Sequence, residues 1–226
     1  MTRKLEHDLT DLKDRVLRMG SLVEDAIRKS IKALVERDRD LALSVIDGDH
    51  VINTYDVEIE EECIRLLAIW QPTGSNLRFI TTAIKIITDL ERMGDLAVDI
   101  CERTIELLEE PQLKPYIDIP RMAEASQKML KNSLDAFVSR DPDSAMKVCE
   151  ADDFVDNLNQ QIFNELLVYM LQDPRNISRA VRLTYVAKYL ERIGDHATNI
   201  AEMVVYMVKG KVIRHMACEM REPDKQ

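Results

Sequence analysis

Apolar residues recur at spacings of three and four along nearly the whole chain, and the seven prolines, at 72, 111, 115, 120, 142, 174 and 223, fall between or beyond the periodic segments. That spacing gives a helix one apolar face, whereas proline inside a helix removes a hydrogen bond and clashes with the preceding turn. The pattern predicts six helices, at about 3–37, 40–70, 77–109, 121–139, 143–172 and 177–209. Asp141 before Pro142 reads as an N-cap followed by proline at the first helical position, and Gly210 as a C-terminal stop.

The two halves carry the same pattern. Residues 33–59 laid on 136–162 share nine identities without a gap, among them Arg37/Arg140, Asp38/Asp141 and Asp49/Asp152. Residues 88–100 laid on 188–200 share Leu90, Glu91, Arg92, Gly94, Asp95, Ala97 and Ile100 with their counterparts. Matches this long indicate a duplicated unit of three helices. Short connections make successive helices antiparallel, so the expected fold is all-α, two tandem, internally repeated three-helix bundles. The first bundle spans 1–110 and the second 121–210, with a proline-bearing linker at 111–120 and a polar tail at 211–226.

Composition narrows the class further. Aromatic residues are only 5% of the chain, and Leu, Ile, Val, Ala and Met dominate the apolar set, a mix suited to helix–helix packing. A net charge of −10 disfavours a nucleic-acid partner. Cys63, Cys101, Cys149 and Cys218 lie far apart, which suggests buried thiols rather than disulfides or a thiolate zinc site. No apolar run approaches ~18 residues, and the opening Met-Thr-Arg-Lys-Leu-Glu-His-Asp lacks the apolar core of a signal peptide, so a soluble, cytoplasmic protein is expected.

In the third helix, the seam 77, 80, 84, 87, 91, 94, 98, 101, 105, 108 is apolar except at Glu91 and Gly94, and Glu191 and Gly194 interrupt the sixth helix alike. An interior glycine costs ~1 kcal/mol relative to alanine, and an inward carboxylate costs more unless paired. Glu91, Asp95 and Asp99 form a stripe at i, i+4 and i+8, matched by Glu191, Asp195 and Asn199. Folding each helix back on its neighbour sets Asp49 and Asn53 opposite Asp99 and Asp95, and Asp152 and Asp156 opposite Asp195 and Ile193. Crowded carboxylates are neutralised by cations, and an all-oxygen set favours Mg²⁺, Mn²⁺, Ca²⁺ or iron, with His196 a further ligand in the second copy. The competing reading is a set of ion pairs, such as Glu91 with Arg92, beside solvated carboxylates. No phosphate-binding Gly-rich loop, nucleophile elbow, zincin motif or paired Glu-x-x-His is present, so no enzymatic activity is expected.

The two Glu-Arg-x-Gly-Asp stretches, with Met19-Gly20, Gln71-Pro72-Thr73 before Leu77-Arg78, and Val208-Lys209-Gly210 leading to Arg214-His215, resemble the PhoU family of bacterial accessory regulators of phosphate uptake. The resemblance covers nearly the whole chain. It implies a cytoplasmic, often dimeric protein that represses the phosphate-starvation response by linking the phosphate ABC transporter, through its ATPase subunit, to a phosphate-sensing histidine kinase. Contact with the membrane would be indirect, through those partners. It also implies metal clusters on acid-x-x-x-Asp pairs, with iron, manganese, magnesium or zinc as candidates. Carried onto this chain, the ligands would be Asp49, Asn53, Glu91, Asp95, Asp99, Asp152, Asp156, Glu191, Asp195 and Asn199. Met93, Asn53 and Asn199 depart from the family's usual residues.

Overall fold

The computed structural model describes residues 2–211. Arg214, His215, Cys218 and the rest of the expected tail beyond 211 lie outside the described residues. Six helices run in order: α1 (Thr2–Glu36), α2 (Arg39–Trp70), α3 (Gly74–Leu108), α4 (Asp118–Ser139), α5 (Pro142–Gln172) and α6 (Ile177–Lys209), with a 3₁₀ turn at Pro174–Asn176 before α6.

The α1–α2 and α4–α5 corners follow one pattern. Arg37 and Arg140 take left-handed backbone angles, φ 56° and 53°, which ends the incoming helix. Asp38 then accepts the Leu41 N–H, and Asp141 accepts those of Asp143 and Ser144, which starts the outgoing one. The two arginines are used differently. The Arg37 guanidinium donates to the carbonyls of Leu107, Leu108 and Glu110 at 3.3, 3.2 and 2.8 Å and so caps α3. Arg140 lies over the Phe79 ring, 5.2 Å from its centre, and the end of α6 is met instead by Arg78, which donates to the Met207 carbonyl at 2.9 Å.

Both α3 and α4 begin three residues earlier than the periodicity predicts. Gly74 takes φ 60° at the start of α3, a conformation only glycine adopts freely. Pro120 sits in the first turn of α4, where the backbone N–H has no intrahelical acceptor in any case.

Each outer helix, α2 or α5, packs only within its own half, while α1 packs on α4 and α3 on α6. One continuous apolar core therefore passes through both halves, from Leu12, Met19 and Ile27 of α1 to Leu183, Leu190 and Val204 of α6. Burying each such side chain contributes about 1.5–3 kcal/mol. Because α3 touches α1, α2 and α6, its buried face is wider than the predicted seam: Ala83, Ile86, Leu90, Met93 and Ala97 are inside, whereas Leu77 is exposed. Most of the fully buried polar side chains are paired, Thr82 Oγ1 being an exception. Ser126 donates to the carbonyls of Met122 and Leu190, both at 3.0 Å, and the buried Lys114 ammonium of the linker bonds Glu165 of α5. Among the described residues no helix is long and apolar enough to cross a membrane.

Candidate acidic sites

The interior glycines have a steric cause that repeats in both halves. A Cβ on Gly94 would stand 3.2 Å from Asp49 Oδ1 and 3.2 and 3.3 Å from two carbons of Ile52. A Cβ on Gly194 would stand 3.2 Å from Asp152 Oδ1 and 3.5 Å from Val155. Glycine thus lets α2 and α5 lay an aspartate directly against the backbone of α3 and α6. In both copies that aspartate's Oδ1 is buried and accepts no hydrogen bond. A buried, unpartnered carboxylate oxygen is costly, and it is the kind of atom a cation satisfies.

In the first copy, Asn53 donates to Asp49 Oδ2 at 2.8 Å, and Arg92 lies 3.4 Å from both Glu91 Oε2 and Asp95 Oδ2. The ion pairing of Glu91 with Arg92 weighed from sequence is therefore present. Burial, then Asp95, raises the Glu91 pKa against the pull of Arg92, and burial likewise raises Asp49 despite its bond from Asn53. In the second copy Asp156 stands where Asn53 does, so a fourth carboxylate replaces an amide. Lys188 pairs there with Glu191, its ammonium reaching Oε2 without hydrogen-bonding geometry. Burial, reinforced by Asp156, Asp195, Asp153 and Glu191, pushes Asp152 up to about 7. Asp156 and Asp195 are also raised, by burial first and Glu191 second.

Not every expected ligand joins these groups. Asp49 lies level with Gly94 and Asp95, about one turn from the expected level of Asp99, because α3 begins at Gly74 and the α2–α3 turn is shorter than the pattern implies. Eight residues past Glu91 the helix has rotated a further 80° or so, which turns Asp99 toward the α3–α6 contact. There burial and then Glu102 raise its pKa, while Arg103 and Arg192 lower it. Asn199 occupies the mirrored position and donates to Asp89 Oδ1 at 3.3 Å. His196 pairs with the same oxygen at 2.8 Å, across the halves rather than with the acidic group beside Asp195. Asp89 and Asp56 are not among the ligands expected from sequence. Asp56, whose charge raises Glu91, extends the α2 stripe 49–53 by a further turn and was open to detection. Asp89 has no such signal, since its partners come from the other half.

Among the described residues no three His, Cys, Asp or Glu side chains converge on a single metal-sized point as they stand. Asp152, Asp156, Glu191 and Asp195 would have to swing inward around Asp152 Oδ1 to share an ion, as would Asp49, Glu91 and Asp95 around Asp49 Oδ1. The oxygen-only donor set fits a hard or borderline cation. Burial pushes the thiols of Cys63 and Cys101 up to about 12 and Cys149 to about 11, which keeps them out of ligation.

A duplicated three-helix unit with an acidic group against an interior glycine in each copy defines the class: a two-fold repeated three-helix bundle. The PhoU domain model matches residues 16–104 and again 119–204, and the chain belongs to the PhoU family. It is 46% identical over 94% of its length to the phosphate-specific transport system accessory protein PhoU homolog of Aquifex aeolicus, covering 96% of that protein. It is 35% identical to phosphate-specific transport system accessory protein PhoU of Escherichia coli, over 92% of this chain and 87% of that one. The crystal structure of PhoU from Pseudomonas aeruginosa superposes with a TM-score of 0.87 at 40% identity, over 91% of this chain and 99% of that one. The phosphate transport system regulatory protein PhoU from Streptococcus pneumoniae gives 0.86 at 31% identity, over 92% and 98%.

Proposed function

We propose that this protein is a non-enzymatic accessory regulator of phosphate-specific transport that helps hold the phosphate-starvation response off when phosphate is plentiful. The observation that carries this reading is the end-to-end match to the Aquifex aeolicus accessory protein, 46% over 94% of this chain and 96% of its own. It acts in the cytoplasm as a homodimer, meeting the membrane only through the phosphate transporter's ATPase subunit and a phosphate-sensing histidine kinase. Three-helix bundles joined along α3 and α6 suit an adaptor, since a shared core couples whatever contacts the two halves. Co-purification of the tagged chain in high and low phosphate tests this. Recovery of both partners in high phosphate is expected; recovery of neither in either condition would count against it.

A second, compatible reading makes the acidic grooves cation sites, supported by the orphaned Oδ1 atoms of Asp49 and Asp152. A bound divalent or iron cation would supply the positive charge that Lys188 and Arg92 provide only in part. The chain's own residues then act as ligands and positioners: Gly94 and Gly194 admit the aspartates, and Asn53 orients Asp49. Elemental analysis of chelator-free protein decides the matter. Metal lost in Asp152→Asn with Asp195→Asn supports the reading, and metal at background in the wild type removes it.

A further inference from the structure

The groove between α4 and α5 encloses about 550 Å³, and its counterpart between α1 and α2 about 180 Å³. Extending the match of 33–59 with 136–162 back along α1 and α4 brings the two linings into register. Ala125, Lys128 and Met129 stand for Leu22, Asp25 and Ala26, and on the facing wall Lys147 and Phe154 stand for Ser44 and Val51. The second copy thus has a smaller residue than leucine on one wall. It also has two cations in place of an acid and a hydroxyl, and an aromatic ring in place of a valine.

In the first copy the charges close on one another: Asp25 pairs with Arg28 and, at 2.6 Å, with Lys29. In the second, Arg121 is tied to Asp118 at 2.8 Å, and Lys128 and Lys147 line the groove from opposite walls. Phe154 lines it with 51% of its surface in water, a costly place for a ring that covers nothing. Met129 forms the buried floor, and its Cε lies 3.8 Å from where a Cβ on Gly194 would stand. The groove therefore backs onto the acidic group around Asp152 while drawing its own lining from other residues. A cavity of several hundred Å³, apolar in part and with a few convergent polar groups, has the form of a small-molecule site.

We propose that the α4–α5 groove binds a nucleotide, its phosphates on Lys128 and Lys147 and its base on the Phe154 ring. Ammonium groups suit a phosphate chain, and an exposed aromatic face suits a base of any sequence. Asn132 and Glu124, also on the lining, supply the donors and the acceptors that a base edge needs. In a chain of net charge −10 an anion is held only where cations are gathered locally, which this groove does and the first, with Asp25, does not. A bare phosphate would leave the ring and the apolar floor uncovered, and an uncharged aromatic molecule would leave the two lysines unused.

Isothermal titration calorimetry of the full chain with ATP, GTP, CTP and UTP, in chelator, reads the groove without phosphate signalling, so this assignment and the regulatory reading can fail separately. At least one of the four should bind with a dissociation constant below roughly 100 µM. Lys128→Glu with Lys147→Glu, native helicity confirmed by circular dichroism, should weaken that binding at least tenfold. The same change of charge in Lys29→Glu with Lys32→Glu, on α1, should leave it within about twofold. Phe154→Ala, at an exposed position, should weaken the nucleotide several-fold and leave the feebler binding of inorganic triphosphate unchanged. Any of four results would overturn the assignment: no binding of any nucleotide at roughly 1 mM, binding indifferent to the paired glutamates or to Phe154→Ala, equal weakening by the α1 pair, or inorganic triphosphate bound as tightly as the nucleotide.

Discussion

Asp152→Asn removes the charge that the second acidic groove tolerates least. Its carboxyl is raised from 3.8 to about 7 by burial and four neighbouring carboxylates. At 1.36 kcal/mol for each tenfold change in protonation, that caps the strain of ionising it in the folded protein at about 4 kcal/mol. Asp152 is only half-buried, and solvent screening brings the expected value nearer 2 kcal/mol. Between pH 4 and 7 the unfolded aspartate has lost its proton while the folded one keeps it, so the native state binds more protons. Stability therefore falls as pH rises through that window and levels off above it. Asparagine abolishes this contribution. In chelator at pH 8, scanning calorimetry should show Asp152→Asn melting about 4–8 °C above wild type, with the gap closing toward pH 4. Added Mn²⁺ or Mg²⁺ should raise the wild-type melting temperature more than that of the variant. A variant that melts below wild type at pH 8 in chelator, or that keeps the wild-type pH slope, would refute the claim that Asp152 is a strained charge.

Gly94→Ala meets three atoms at 3.2–3.3 Å and Gly194→Ala only one that close, so chemical denaturation should show Gly94→Ala less stable by about 1–2 kcal/mol and Gly194→Ala near neutral, the gain in helix propensity offsetting its single contact. Stabilisation by both would mean the glycines do not serve close approach. Arg37→Ala leaves three carbonyls at the end of α3 without their shared donor and should cost about 2–3 kcal/mol, with amide exchange accelerated in the last turn of α3. The Lys114–Glu165 pair should respond asymmetrically: Glu165→Leu strands a buried ammonium and costs about 3 kcal/mol, whereas Lys114→Met frees a carboxylate that reaches water and costs under about 1 kcal/mol.

The helices, the duplication and the acidic pairs were legible because each is local: a 3.6-residue period, prolines at its breaks, and a motif that recurs at a fixed offset. Asp141 and Gly210 cap the helices they were read to cap. What escaped depends on how helices meet. The pairing of Asp49 with Asp95 hung on a turn three residues shorter than the pattern implied. Asp99, Asn199 and His196 belong to the α3–α6 contact because α3 and α6 are buried on more than one side, so a carboxylate stripe along either helix winds from one neighbour to another. The reason for Gly94 and Gly194, an aspartate lying on the helix backbone, is a fact of packing that spacing only hints at.

The most direct test of the regulatory reading is a phosphate-starvation reporter, alkaline phosphatase, measured in a strain deleted for this protein and grown in ample phosphate. The account predicts high reporter activity in the deletion strain and its return to the repressed level when the wild-type chain is supplied. Normal repression in the deletion strain would contradict it.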